Sequence, residues 1–329
     1  MSDLRRDIVS GEWIIMSPNR AKRSHLIVPP RRPRLFPNKN RCPFEEKNLR
    51  AENVWPPLLR YPKMGEWQVG LIPNKFPAVT HHQMCGVEEK QGPHTVMQGI
   101  GHHDLVITRD HRKGFADLST EEAIGVFLVL QERYRTMAKD RCLLYTSSFM
   151  NWGLTAGASV SHPHYQVLTL PIIPPDIARS LEGAHHYFKT HHRCVHCAVL
   201  SYERADKKRV VRQDAHAIAF TPFVSRNPFE VRISPKRHLP FFERTPKKDL
   251  RSVVVMLQHV LHKIKKNLND ADFNFFLHTA PLKRQAKYGY YHWHIEVAPK
   301  ITIPAGFELS TGVEINVVNP DEAARMLRK

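Results

Sequence analysis

Long hydrophobic runs are missing from this 329-residue chain. No apolar stretch approaches the roughly 20 residues needed to cross a bilayer. The opening, Met1-Ser2-Asp3-Leu4-Arg5-Arg6, lacks the apolar segment of a signal peptide. A soluble cytoplasmic protein is therefore the expectation. Cysteine is scarce: five residues, an odd number spread too thinly for a disulfide framework. Free thiols or metal ligands are expected instead. Cys85 and Cys142 fit no motif and are expected to be simply buried. Acidic residues are under-represented, with 31 Asp+Glu against 49 Lys+Arg and a net charge of +18. That balance points to anionic partners such as phosphorylated substrates, nucleotides or nucleic acid. At 42% hydrophobic and 24% charged, the composition excludes a disordered or collagen-like chain.

What is abundant is histidine, with 21 residues. Imidazole serves as metal ligand, proton carrier and nucleophile. Several histidines recur in a pattern. Ser119 and Glu122 form a capping box, followed by Ala123, Val126, Phe127, Leu130 and Tyr134 at helical spacing to about Asp140. A second helix is expected from near Pro246, with Leu250, Val253, Val254, Leu257, Leu261, Ile264 and Leu268 on one face. Each helix leads into an apolar stretch, a loop, and a His-x-His opening a β-like run: His162-Pro163-His164 and His292-Trp293-His294. Each is preceded by a lone histidine: His162 follows His111 by 51 residues, and His292 follows His238 by 54. Each half opens on a cysteine motif, Cys42-Pro43-Phe44-Glu45 and Cys194-Val195-His196-Cys197. Elements in the same order at near-equal spacing indicate a duplicated unit of α+β class. The halves are expected at 1–173 and 174–329, with the junction at Pro171–Asp176. Residues 28–43, rich in Pro and Arg, are expected to form an extended surface arm.

Zinc takes four ligands from Cys, His and carboxylate in a tetrahedral shell. Cys194, Cys197, His238 and His292 supply such a set, and the ion would pin distant strand ends together. Cys42, Glu45, His111 and His162 supply a harder, weaker set, in which Glu45 stands where a second cysteine would be expected. One or two Zn²⁺ per chain are expected. Residues two apart on a strand share a face, so His162, His164 and Gln166 point the same way. Both histidines on one metal is an alternative. The preferred division has His162 bind the ion and His164 act as a nucleophile toward phosphorus. Gln166 would donate its amide to a phosphate oxygen. In the preceding loop, Asn151 to Ser159, small residues would let backbone N–H groups approach a phosphate, and the Ser159 hydroxyl adds a donor. In the second half Glu296 replaces the amide and would repel phosphate, so the chemistry is expected in the first half.

At these residues the chain resembles the galactose-1-phosphate uridylyltransferase family, a branch of the histidine-triad superfamily. The motifs that carry the resemblance are Ser17-Pro18-Asn19-Arg20-Ala21-Lys22-Arg23, Asn74-Lys75-Phe76-Pro77-Ala78, Gly157-Ala158-Ser159 and His162-Pro163-His164-Tyr165-Gln166. The resemblance implies two fused histidine-triad-like domains with antiparallel half-barrel sheets and flanking helices. It implies a ping-pong reaction through a nucleotidyl-histidine, with His164 as nucleophile and Gln166 as phosphate clamp. Asn74, Lys75, Asn151, Gly157, Ala158 and Ser159 would line the nucleotide. Arg20 and Arg23 match positions that reach a neighbouring subunit's site, which implies a homodimer. The cysteine pair at 194 and 197, and the tail around Phe307, look like the branch that includes a plant ADP-glucose phosphorylase, and the resemblance counts Phe307, with Arg20 and Arg23, among the substrate-binding residues. Expected substrates are a nucleotide sugar with hexose 1-phosphate or phosphate, with uridylyl transfer ranked before adenylyl transfer. A zinc-stabilised nucleic-acid-binding protein is the competing class. It is disfavoured because zinc-finger spacing, an RNA-recognition aromatic motif and a helix-turn-helix signal are all lacking.

Overall fold

The computed structural model describes residues 2–22, 34, 36 and 38–329. Arg23 and the whole segment 24–33 lie outside the described residues. The elements follow one another in chain order. The N-terminal strands β1 (Asp3–Arg6) and β2 (Trp13–Met16) precede helix α1 (Glu46–Ala51). Strands β3 (Leu59–Tyr61), β4 (Val69–Pro73), the hairpin β5 (Glu88–Gln91) and β6 (His94–Met97), and β7 (His102–Thr108) lead to α2 (Thr120–Met137). Strands β8 (Tyr145–Trp152) and β9 (His164–Leu170) follow. The chain continues with α3 (Pro175–His191), α4 (Val195–Asp206), β10 (Val210–Gln213), β11 (Ala217–Phe220) and β12 (Val231–Pro235). It then runs through α5 (Lys247–Asn267), β13 (Phe273–His278), β14 (His294–Pro299), α6 (Gly306–Thr311), β15 (Ile315–Asn316) and α7 (Pro320–Arg328).

Ten strands form one antiparallel sheet in the order β3-β4-β7-β9-β8-β13-β14-β12-β11-β10. Read outward from the β8–β13 pair, the order is the same in both directions. Thus β8 corresponds to β13, β9 to β14, β7 to β12, β4 to β11 and β3 to β10. The duplication inferred from histidine spacing is therefore visible in strand order, and the two half-sheets are joined by main-chain pairing of Phe273 with Trp152 through Leu277 with Ser148. The ends are also exchanged: β15 pairs in parallel with β2, so the N-terminal strands lie with the C-terminal segment.

Both long helices form as their patterns require. The Ser119 hydroxyl accepts from the Glu122 N–H at 3.2 Å, and the Glu122 carboxylate accepts from the Ser119 N–H at 2.8 Å. Leu250, Val253, Val254, Leu257, Leu261 and Ile264 are fully buried along α5. The two helices pack together with one face of the sheet in a single apolar cluster. Tyr165 and Val167 belong to that cluster. By the two-residue period of a strand, His164 and Gln166 then face the opposite side. Among the described residues, no helix is long and apolar enough to cross a membrane.

Two expectations need correction. Cys85 and Cys142 are joined in a disulfide across 57 residues. Cys85 is exposed rather than buried, and the bond ties the connection before β5 to the segment after α2. The expected extended arm is also not wholly on the surface. Lys39–Arg41 makes a 3-10 turn, and Cys42 is completely buried with Phe44, Leu49, Trp67 and Ile72. Arg34 docks through Nε on Asp270 at 2.9 Å and through Nη1 on Asp272 at 2.6 Å.

Candidate active site and metal centres

His164 opens β9 and is 7% exposed. Its Nδ1 lies 3.0 Å from the His162 carbonyl oxygen. A carbonyl only accepts, so Nδ1 carries the proton and the neutral ring presents a lone pair at Nε2. Burial holds the ring's pKa below the ordinary histidine value, only partly offset by that carbonyl. The edge of the Phe44 ring packs on His164, with centroids 5.2 Å apart. Together these contacts fix a neutral, oriented imidazole with one free nitrogen.

His164 and Gln166 line a cleft of about 280 Å³ together with Asn74, Lys75, Phe76 and Ser159. Asn151 and Ala158 line a neighbouring cavity with Arg34, Phe36, Trp152 and Asp272. Val160 belongs to both walls. The small-residue loop behaves differently from expectation. The Gly157 N–H donates to the Leu154 carbonyl and the Ala158 N–H to the Gly153 carbonyl. Those two amides are thus spent within the loop, and Ser159 is the loop residue that reaches the cleft of His164. Gly153 sits at φ +90°, and a Cβ there would overlap the Asp272 carboxylate, so only glycine fits. The Asp272 carboxylate accepts from the Thr155 N–H and hydroxyl at 2.8 and 2.7 Å. Asn274 Nδ2 donates to Asn151 Oδ1 and to the Ala156 carbonyl, both at 2.8 Å. The second half therefore braces the first half's loop. Sequence spacing held no sign of Asp272 or Asn274, because they reach the site only through the β8–β13 pairing.

Arg20 and Phe307 line neither cavity. Arg20 is exposed on a 3-10 turn, and Phe307 is 46% exposed on α6. Lys75 lies at the cleft rim, paired with Glu52 at 2.8 Å.

Both expected ligand sets converge. In each, one ligand atom per residue falls within 4.8 Å of all the others. In the second half, Cys197 Sγ lies 3.3 Å from His238 Nδ1 and 3.4 Å from His292 Nδ1. The Nε2–H groups of these histidines donate outward to the carbonyls of Gly289 and Pro235. That leaves both Nδ1 lone pairs aimed at the thiols, which is the outer-shell arrangement typical of metal-bound histidine. Hydrogen bonding with Cys197 holds the Cys194 thiol below its usual value against the effect of burial, and the same contact together with burial pushes Cys197 up. In the first half, Cys42 Sγ is 3.3 Å and His111 Nδ1 is 3.2 Å from His162 Nδ1. His162 donates from Nε2 to the Thr108 carbonyl at 2.7 Å. Burial lowers its pKa to about 4, which keeps it neutral. Glu45 Oε1 is buried without a hydrogen bond, 3.4 Å from His111 Nδ1. Tetrahedral bonds of about 2.0–2.3 Å place ligand atoms about 3.3–3.8 Å apart. The separations of 3.2–3.4 Å suit such an ion at both places, and an orphaned carboxylate oxygen at the first would be satisfied by one.

The second His-x-His has the same backbone hold, with His294 Nδ1 3.1 Å from the His292 carbonyl. What faces it is different. Glu296 pairs with Arg232 at 2.5 Å and lies 3.5 Å from His294 Nε2. Burial opposes the ionisation of Glu296, but Arg232 with His278 and His294 outweighs it and holds the carboxyl well below its usual range. An anion, Glu296, is built in where the first half carries the Gln166 amide.

A buried, neutral imidazole backed by a carbonyl thus stands beside an amide and a hydroxyl in one cleft. Comparison with known proteins supplies the class. A family described as a domain of unknown function (DUF4921) matches residues 80–329. The ADP-glucose phosphorylase of Arabidopsis thaliana is 32% identical, over 99% of this chain and 92% of that protein. The galactose-1-phosphate uridylyltransferase of Thermotoga maritima is 27% identical, over 100% and 98%. The crystal structure of the Arabidopsis ADP-glucose phosphorylase with bound ADP-glucose superposes with a TM-score of 0.83 at 30% identity, covering 100% of this chain and 99% of that one. A uridylyltransferase structure gives 0.75 at 26%, covering 100% and 97%. The chain belongs to the galactose-1-phosphate uridylyltransferase-like family, within which ADP-glucose phosphorylase also falls.

Proposed function

We propose that the protein transfers a nucleoside monophosphate from a nucleoside diphosphate sugar to an acceptor phosphate, through a covalent adduct on His164. The supporting observation is the Nδ1–H hydrogen bond to the His162 carbonyl, which leaves the Nε2 lone pair for attack. Nε2 forms a bond to the α-phosphorus, and the bond from that phosphorus to the bridging oxygen breaks. The sugar 1-phosphate departs with the electron pair. Positive charge on the ring is stabilised by the Nδ1–H donated to His162. An acceptor phosphate oxygen then attacks the same phosphorus, the P–N bond breaks, and the imidazole returns neutral. Gln166 and Ser159 donate to the non-bridging oxygens, whose charge grows in each transition state.

Two donors are weighed, ADP-glucose with phosphate as acceptor and UDP-glucose with hexose 1-phosphate. Relatives of both kinds match the full length. The higher identity and TM-score of the ADP-glucose phosphorylase support ADP-glucose. Zinc is the ion that suits both donor sets, and when bound it crosslinks strand ends and fixes His162, whose carbonyl holds His164. Arg20, Arg23 and Phe307 belong, in this reading, to the neighbouring site of a homodimer, which accords with Arg20 and Phe307 standing away from this chain's own cleft. The halves divide at 173/174, in the connection between β9 and α3.

Incubation with ADP-glucose plus phosphate, and separately with UDP-glucose plus galactose 1-phosphate, tests the reading by product formation. His164→Ala is expected to reduce turnover at least about 10³-fold with an unchanged circular dichroism spectrum. Wild-type turnover in that variant would remove the mechanism.

A further inference from the structure

The orientation of Gln166 decides whether it helps or hinders. Its amide nitrogen attracts a phosphate oxygen, and its amide oxygen repels one. A side-chain amide on its own turns either way, so something must set it.

His103 sets it. The Ala78 backbone N–H donates to His103 Nδ1 at 3.1 Å. A backbone amide only donates, so Nδ1 holds the lone pair and the proton resides on Nε2. His103 Nε2 lies 3.0 Å from Gln166 Oε1, and so it donates there. Gln166 thus points its oxygen back at His103 and keeps both N–H donors for the other side. Asn74, which also lines the cleft, places its Nδ2 3.2 Å from the same Nε2. Its main chain is tied to the His103 carbonyl at 2.9 Å. The Asn74–Ala78 turn therefore closes on His103 at both ends.

The other half of the molecule shows what the arrangement replaces. The residue directly across from Glu296 is Arg232, whereas the residue across from Gln166 is Leu105. A charged partner aligns the carboxylate in one case. In the other the register partner is apolar, and a neutral donor two residues earlier on β7 aligns the amide.

We propose that His103 is a positioning residue that, oriented by the Ala78 amide, locks the Gln166 side chain with its N–H donors toward the transferred phosphate. This deepens the nucleotidyltransferase reading and rests on it. Rapid-quench measurement of adduct formation, with ADP-glucose and with UDP-glucose, tests it on wild type, His103→Phe, His103→Gln, Gln166→Ala and the double variant His103→Phe/Gln166→Ala. His103→Phe is expected to slow adduct formation about 10- to 100-fold, while donor half-saturation moves less than about 3-fold. His103→Gln can accept from Ala78 and donate to Gln166, and is expected to recover most of the rate. With Gln166 already truncated, removing His103 is expected to cost nothing more. An unchanged rate in His103→Phe, or the full loss repeated in the Gln166→Ala background, would overturn the proposal. If wild type makes no adduct, the nucleotidyltransferase reading itself falls. Imidazole ¹⁵N spectra, assigned by difference against His103→Phe, read the tautomer without activity: Nε2–H supports the lock, and Nδ1–H refutes it.

Discussion

In the proposed mechanism a single carbonyl, that of His162, does most to prepare His164 for attack, because it fixes both the tautomer and the ring's direction. The same hold on His294 faces a cavity that carries the Glu296–Arg232 ion pair, so a phosphate entering there would meet a carboxylate. Two substitutions separate these roles. Gln166→Glu would copy the second half without Arg232 to neutralise it, since Leu105 stands opposite. Adduct formation in that variant is expected to fall about 10²- to 10³-fold, measured by rapid quench; an unaffected rate would contradict a clamp at Gln166. His294→Ala removes a buried ring packed on His278 and His196. It is expected to lower unfolding free energy by about 1–3 kcal/mol in denaturant melts while adduct formation continues. At this scale the sequence is informative where chemistry leaves a motif. His164 and Gln166 stand out because a small-residue loop runs into a His-x-His. His103 does not, because it is one of 21 histidines and its role is created by contacts with Ala78 and Gln166.

Elements defined by local rules were legible in the sequence. The helix after Ser119 was anticipated because its capping box and 3.6-residue period are local signals, and both operate in the folded chain. Ser119→Ala is accordingly expected to cost about 1 kcal/mol of stability with turnover unchanged; a loss of activity without a loss of stability would mean the helix serves the site more directly than its packing indicates. Elements whose meaning lies in long-range pairing were not legible. The loop 153–159 looks from its composition like a ring of backbone donors, yet Gly157 and Ala158 satisfy the loop itself. Its shape depends on Asp272 and Asn274, more than 110 residues away in sequence. Cys85 and Cys142 share no spacing motif and meet only because the connection before β5 comes to lie beside the end of α2. The arm before Cys42 reads as surface from its prolines and arginines, but burial of Cys42 pulls its end inward.

The whole molecule is two copies of one unit sharing a ten-stranded sheet, of which one copy carries the Gln166 amide in its cleft and the other the Glu296–Arg232 ion pair. The duplication was visible from sequence because ligand and histidine spacings repeat. The continuous sheet was not, because the β8–β13 junction carries no motif. Each half also keeps a four-residue donor set at the ends of its strands. Loss of either would loosen both halves through the shared sheet. Cys194→Ser is expected to lose one zinc per chain by elemental analysis and to lower the melting temperature, since a bound ion stabilises only the folded state. Native protein without zinc would remove the metal from the account. The central claim is a transient P–N bond at one imidazole. Its most direct test is mass spectrometry of peptides after brief incubation with ADP-glucose or UDP-glucose. The account predicts a gain of AMP or UMP mass on the peptide that contains His164, absent from His164→Ala. An unmodified peptide with every nucleoside diphosphate sugar tried, or an adduct on His294 instead, would contradict it.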